Sequence, residues 1–134
     1  MIKENEEVIK EPFPSERTIQ INLINWFKHE YPNFSEDIHH FANERKCSIQ
    51  QGRILKRMGV SSGVSDIFVG IAIWDWDRKY HGLWIELKSD TGKLTAQQSK
   101  FIFNKNKRGY FAIAVWGLDA AKEVIKTYLK DYDE

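Results

Sequence analysis

The residues best suited to chemistry lie in one stretch, Gly63 to Lys88. Asp66 opens a nearly continuous apolar run, Ile67 to Trp74, and Glu86 and Lys88 flank Leu87 in Trp84-Ile85-Glu86-Leu87-Lys88. A run of that kind forms a strand buried on both faces. Strand side chains alternate, so Glu86 and Lys88 share one face while Ile85 and Leu87 turn to the other. Two carboxylates and an ammonium at a strand rim are costly to bury without partners. A divalent cation is such a partner, because hard cations take carboxylate and carbonyl oxygens. The lysine then stands beside whatever the cation binds. A Glu-x-Lys step alone is better explained by an ion pair on a strand. The aspartate at the head of the preceding apolar strand is what favours the chemical reading.

Several elements must position these groups. At 134 residues, with 42% hydrophobic and 13% aromatic content, the chain has enough material for a real core and does not read as disordered. Its net charge of +1 points to no partner, though acids gather near the ends and bases around the middle. The one cysteine, Cys47, rules out an intrachain disulfide. No apolar run approaches the ~20 residues of a membrane span, and Met1 to Glu11 lacks the apolar centre of a signal peptide. A cytoplasmic setting, with no membrane partner, is the resulting expectation.

Residues 1–14 read as a loose arm closed by Pro12-Phe13-Pro14, and 15–134 as one domain. Ser15 is a suitable N-cap for a helix over 15–30, with Ile19, Leu23, Trp26 and Phe27 at helical spacing and Pro32 beyond its end. A short strand over 38–42 and a basic helix over 47–58 follow. The spacing then predicts strands over 66–76 and 82–89, joined by a turn through Asp77 to Gly82. Thr95 and Gln98 form a capping-box pattern for a helix reaching about 106. A buried strand over 110–116 comes next. A final helix over about 119–130 places Ala120, Val124, Ile125, Tyr128 and Leu129 on one side. The order α-β-α-β-β-α-β-α is that of an α/β sandwich with a mixed sheet flanked by helices.

The pattern of an aspartate, a gap and Glu-x-Lys resembles the PD-(D/E)XK nuclease active site. The surrounding residues resemble a stand-alone VRR-NUC domain, the virus-type replication–repair branch of that superfamily. The resemblance is carried by Ser15-Glu16 with Gln20, His40-Phe41-Ala42-Asn43-Glu44 and Gly59-Val60 through Gly63-Val64-Ser65-Asp66. It continues through Ile85-Glu86-Leu87-Lys88 and Gly92-Lys93-Leu94-Thr95-Ala96-Gln97-Gln98. It covers roughly residues 15 to 117, and the set in this order is more specific than any one motif. It departs at Ser65, which stands where the superfamily usually has proline.

The resemblance implies a restriction-endonuclease-like core and a Mg²⁺- or Mn²⁺-dependent endonuclease that hydrolyses DNA phosphodiesters, leaving 5′-phosphate and 3′-hydroxyl ends. Asp66, Glu86 and the Leu87 backbone carbonyl would hold the metal, with Lys88 facing the phosphate. Glu16 would approach from the first helix, through water or at a second metal. Gln98 would lie near the catalytic lysine, a role compatible with its place in a helix cap. Gln20, Asn43 and Glu44 are weaker correspondences. Small stand-alone members resemble Holliday-junction resolvases acting as homodimers, since symmetric cleavage of a four-way junction needs two sites about a two-fold axis. Branched or double-stranded DNA is then the expected partner. Arg53, Lys56, Arg57, Lys93, Lys100, Lys105, Lys107 and Arg108 are candidates to neutralise phosphates, or alternatively a solvated charged face. His39 and His40 face opposite ways on a strand, which suits packing or DNA contact better than metal ligation. Trp74-Asp75-Trp76-Asp77 suits hairpin packing better than base stacking. The alternatives are a flap or restriction-like nuclease without junction preference and a non-catalytic DNA-binding module.

Overall fold

A computed structural model describes residues 14–41, 48–60 and 63–132. Nearly all of the amino-terminal arm, together with Ala42, Asn43, Glu44 and Cys47, lies outside these residues. The first helix, α1 (Glu16–Glu30), begins where the Ser15 hydroxyl accepts a hydrogen bond from the Thr18 backbone N–H at 3.2 Å. Its acidic residue, Glu16, sits in the first turn and Lys28 and His29 in the last, as the helix dipole favours. Ile19, Leu23 and Phe27, spaced by four, are buried along one stripe, and the helix stops at Tyr31 ahead of Pro32.

Four strands form the main sheet in the order β1-β2-β5-β6: β1 (Ile38–His40), β2 (Ile67–Val69), β5 (Leu83–Lys88) and β6 (Phe111–Trp116). The first two neighbour pairs are antiparallel and the β5–β6 pair is parallel, which makes the sheet mixed. The β2–β5 register sets Ile67 opposite Ile85, Phe68 opposite Trp84 and Val69 opposite Leu83. Alternation then sorts the two faces. Ile67, Val69, Leu83, Ile85 and Leu87 join a core with Ile19, Leu23 and Phe27 of α1 and with α4 (Leu118–Tyr128). The opposite face of β5 carries Trp84, Glu86 and Lys88 toward α3 (Ala96–Lys107), whose Phe101 ring lies edge-on to Trp84.

The mixed α/β architecture is the one the sequence predicts, with three differences in detail. The apolar run after Asp66 does not make one long strand. It breaks at Gly70, whose backbone N–H donates to the Asp37 carbonyl at 2.8 Å, so the turn at 77–82 does not link the two sheet strands directly. Instead β3 (Ile73–Trp74) and β4 (Lys79–Tyr80) form a separate two-stranded hairpin between β2 and β5. That hairpin does not bury Trp74 and Trp76: Trp74 is 73% exposed, with the Lys79 ammonium 5.0 Å over its ring, and Trp76 is 92% exposed. On α4, Ile125, Tyr128 and Leu129 are buried as expected and Val124 packs against the core, but the buried alanine is Ala121 and the expected Ala120 is exposed. Tyr128 anchors this face, because its hydroxyl donates to the Ile71 carbonyl at 2.8 Å. The remaining helix, α2 (Ile49–Arg57), is opened by a Ser48–Gln51 capping box and buries none of its residues.

Two positive-φ glycines bracket the approach to Asp66. Gly59 (φ +96°) closes α2 in open space. At Gly63 (φ +84°) an added Cβ would lie 2.7 Å from Gln97 Cβ and 2.9 Å from its backbone. Gly63 thus packs the chain ahead of Asp66 onto the start of α3. Gly59→Ala is expected to cost only the left-handed strain, about 1–2 kcal/mol in chemical denaturation. Gly63→Ala is expected to add a steric cost of about 1–3 kcal/mol. Equal losses for the two variants would show that the Gly63–α3 contact is not tight.

Candidate active site

Asp66 immediately precedes β2, and its backbone carbonyl accepts from the Phe41 N–H at 2.8 Å, with His40 Nδ1 3.2 Å away. The end of β1 therefore fixes where the aspartate starts. Its side chain reaches across to β5, where Asp66 Oδ2 accepts from the Leu87 N–H at 2.9 Å. That bond draws the carboxylate against the strand that bears Glu86 and Lys88. Ser65, just ahead, is fully buried, and its Oγ has no hydrogen-bond partner among the described residues.

Glu86 is only 1% exposed, Lys88 5% and Gln98 5%. Lys88 Nζ stands 3.8 Å from Glu86 Oε2, too far for a hydrogen bond, so the ammonium offsets only part of the burial cost. Gln98 Nε2 donates to the same oxygen at 3.2 Å. The other oxygen, Glu86 Oε1, is buried without a hydrogen-bond partner among the described residues. Burial pushes the Glu86 carboxyl up to about 9, with the adjacent Asp66 carboxyl and then Glu16 adding to the rise and Lys88 opposing it.

Gln98 holds its orientation because both ends of its amide are used. Its Oε1 accepts from the Thr95 N–H at 2.9 Å, and the Thr95 hydroxyl accepts from the Gln98 N–H at 3.1 Å. The carbonyl end is thereby committed to the helix cap and the NH₂ end is left for Glu86. Glu16 enters from α1. A Cβ placed on Gly92 would lie 3.0 Å from Glu16 Oε2 and 3.2 Å from Lys88 Cδ, so the carboxylate and the lysine stem meet around that glycine. The Gly92 carbonyl accepts from the Trp116 indole N–H at 2.8 Å. The sequence carried no sign of that contact, since nothing local links residues so far apart.

Asp66, Glu86, Lys88 and Gln98 thus converge, with Glu16 at their edge beside the Lys88 stem, whereas the other candidates do not join them. Gln20, His39 and His40 line a groove between α1 and β1. Arg53, Lys56 and Arg57 are exposed on α2, as are Lys93 and Lys100 near the start of α3. Lys105 is half-buried, its Nζ 5.2–5.3 Å from the ring centroids of Trp84, Phe101 and Tyr110. Lys107 sits 5.5 Å over the Phe103 ring, and Arg108 donates to the Asn104 carbonyl at 3.2 Å.

Among the described residues no group of three or more His, Cys, Asp or Glu side chains is gathered closely enough to hold a metal ion. The centre is instead a carboxyl pair, a mode in which Mg²⁺ can bind if water and phosphate oxygens fill the remaining positions. The orphaned Glu86 Oε1 fits such an ion. Without metal, the folded chain keeps on Glu86 a proton that the unfolded chain, with the ordinary value of 4.5, releases. This contribution to stability is present below the ordinary value and is lost as pH rises toward about 9. In chelator, the melting temperature of Glu86→Gln is expected to decline less than wild type across that window. Parallel profiles would contradict the buried, protonated carboxyl.

Neither a protein-family model nor a curated protein matches the chain. A solved structure does: a protein described as a VRR_NUC domain protein superimposes with a TM-score of 0.75 at 32% sequence identity. The match covers 90% of this chain and 93% of the other. Identity at that level over nearly the whole of both chains establishes common membership rather than a shared fold alone: the chain belongs to the VRR-NUC family of nuclease domains.

Proposed function

We propose that this nuclease domain is a Mg²⁺- or Mn²⁺-dependent DNA endonuclease, acting as a homodimer on branched DNA of the four-way-junction type. The observation that carries the metal-dependent part is the fully buried Glu86, one oxygen unpartnered, packed beside Asp66 and Lys88. A structural ion pair would be joined at hydrogen-bond distance and have its oxygens satisfied, and this one is neither.

Asp66, Glu86 and the Leu87 carbonyl would hold the cation. When bound, the ion lowers the pKa of a water and stabilises negative charge on the phosphate. The chain's own groups do the rest. The hydrogen bond from the Leu87 N–H keeps Asp66 on the β5 side of the site. Gln98, fixed by its cap, keeps Glu86 from rotating. Lys88 places its ammonium beside the scissile phosphate, where charge develops as the leaving oxygen departs. The basic residues of α2 and around the start of α3, chiefly Arg53, Lys56, Arg57, Lys93 and Lys100, supply phosphate contacts that hold substrate without reading sequence. The junction and dimer part of the reading rests on symmetry: one chain carries one such site, and paired cuts need two.

The test is cleavage of a labelled four-way junction beside duplex, flap and single strand, with Mg²⁺, Mn²⁺ or chelator. Paired symmetric nicks that need the cation are expected on the junction. Lys88→Ala should slow them by about 10²–10³, while Asp66→Ala abolishes cutting and leaves DNA affinity intact. Cation-dependent cutting of flap or duplex with the junction spared would keep the nuclease and remove the resolvase. A folded, cation-loaded protein that cuts nothing would make it a DNA-binding module.

A further inference from the structure

We propose that Gly92 is a positioning residue, selected for its missing side chain, that lets Glu16 of α1 close on the Asp66–Glu86 pair. The inference rests on the cation-dependent reading above and concerns how the first helix is brought to that site.

Glycine is usually demanded by the backbone, and here it is not. Gly92 is not among the glycines with positive φ, so its conformation is open to any residue. What it provides is space. A methyl group there would press on three neighbours at once: Glu16 Oε2 at 3.0 Å, Lys88 Cδ at 3.2 Å and the Ser89 carbonyl oxygen at 3.3 Å. Each distance is short of ordinary van der Waals contact, so something must yield by a few tenths of an ångström. The Lys88 stem is buried, and Ser89 contributes backbone already bonded to the Gly92 N–H. The Glu16 carboxylate ends a flexible side chain and is only half-buried, and among the described residues no hydrogen bond or ion pair restrains it. It is therefore the group that gives way, and it moves out of the site.

Gly92 cannot retreat instead. Its N–H donates to Ser89 O at 3.0 Å, and its carbonyl accepts from Trp116 Nε1 at 2.8 Å. Next to Trp116, the Gly117 N–H donates to the Lys88 carbonyl at 3.0 Å. The end of β6 thus pins both the lysine and the turn that follows it. Trp116 is 44% exposed, so this indole acts more as a hydrogen-bonded clamp than as a core side chain.

The experiment is calorimetric titration of Mn²⁺ alone, without DNA, into wild type, Gly92→Ala, Glu16→Ala and the double variant, with melting temperatures for each. Gly92→Ala is expected to weaken Mn²⁺ binding about 10-fold, in the range found when a ligand's supporting group is lost. Its melting temperature should stay near that of wild type. In the Glu16→Ala background the same substitution should have no further effect, because the group it displaces is gone. Trp116→Phe, which removes the N–H and keeps the bulk, should weaken binding in the same direction. Wild-type affinity in Gly92→Ala, or an undiminished effect in the Glu16→Ala background, overturns the proposal while leaving the cation-dependent reading intact. No Mn²⁺ binding by folded wild type overturns that reading, and this proposal with it.

Discussion

The structure turns on keeping a carboxyl group where water cannot reach it. Glu86 lies on the central part of the sheet, 1% exposed, on the strand that pairs with both β2 and β6. An ionised carboxylate in that position costs several kcal/mol unless it is paired and hydrogen-bonded. The chain meets this only in part, with one amide hydrogen bond and an ammonium 3.8 Å away. The remainder appears as a retained proton, with Glu86 pushed up to about 9. A domain that wanted only stability would place an apolar residue there. That incomplete neutralisation supports the proposal that a divalent cation is bound there.

The elements around Glu86 each hold one group. β1 sets Asp66 through its backbone carbonyl, and β5 captures the Asp66 side chain through the Leu87 N–H. The Thr95 cap of α3 orients Gln98, so the helix start and the site share a single amide. The Gly63 turn packs on that same helix start. α1 buries Ile19, Leu23 and Phe27 beneath the sheet while its first turn delivers Glu16 to the strand ends. Core packing and site geometry are thus two faces of the same strand alternation: Ile85 and Leu87 point into the core, Glu86 and Lys88 away from it.

Much of this was legible in the sequence because it depends on local rules. Alternation alone separates Glu86 and Lys88 from Ile85 and Leu87, and the side-chain caps at Ser15 and Thr95 mark helix starts one residue from where they begin. The capping pattern of Thr95 and Gln98 and the nearness of Gln98 to the site turned out to be the same fact. What could not be read was set by distant contacts. The run after Asp66 looks continuous, yet it breaks where Gly70 bonds to Asp37 and the chain turns aside into a hairpin. The Tyr128–Ile71 hydrogen bond that anchors the buried face of α4 joins residues far apart in the chain. The Trp116–Gly92 clamp joins residues from different elements and leaves no periodic trace. The paired tryptophans at 74 and 76 look like hairpin packing by composition, and only the placement of the hairpin leaves them in solvent.

The central claim is that the Asp66–Glu86 pair is completed by a divalent cation. The most direct measurement is electron paramagnetic resonance of free Mn²⁺ titrated with wild-type protein and with Asp66→Asn, both confirmed folded. The account predicts saturable loss of the free-ion signal with wild type and its near-complete return with the variant. Equal binding by the two proteins, or none by wild type, would contradict it.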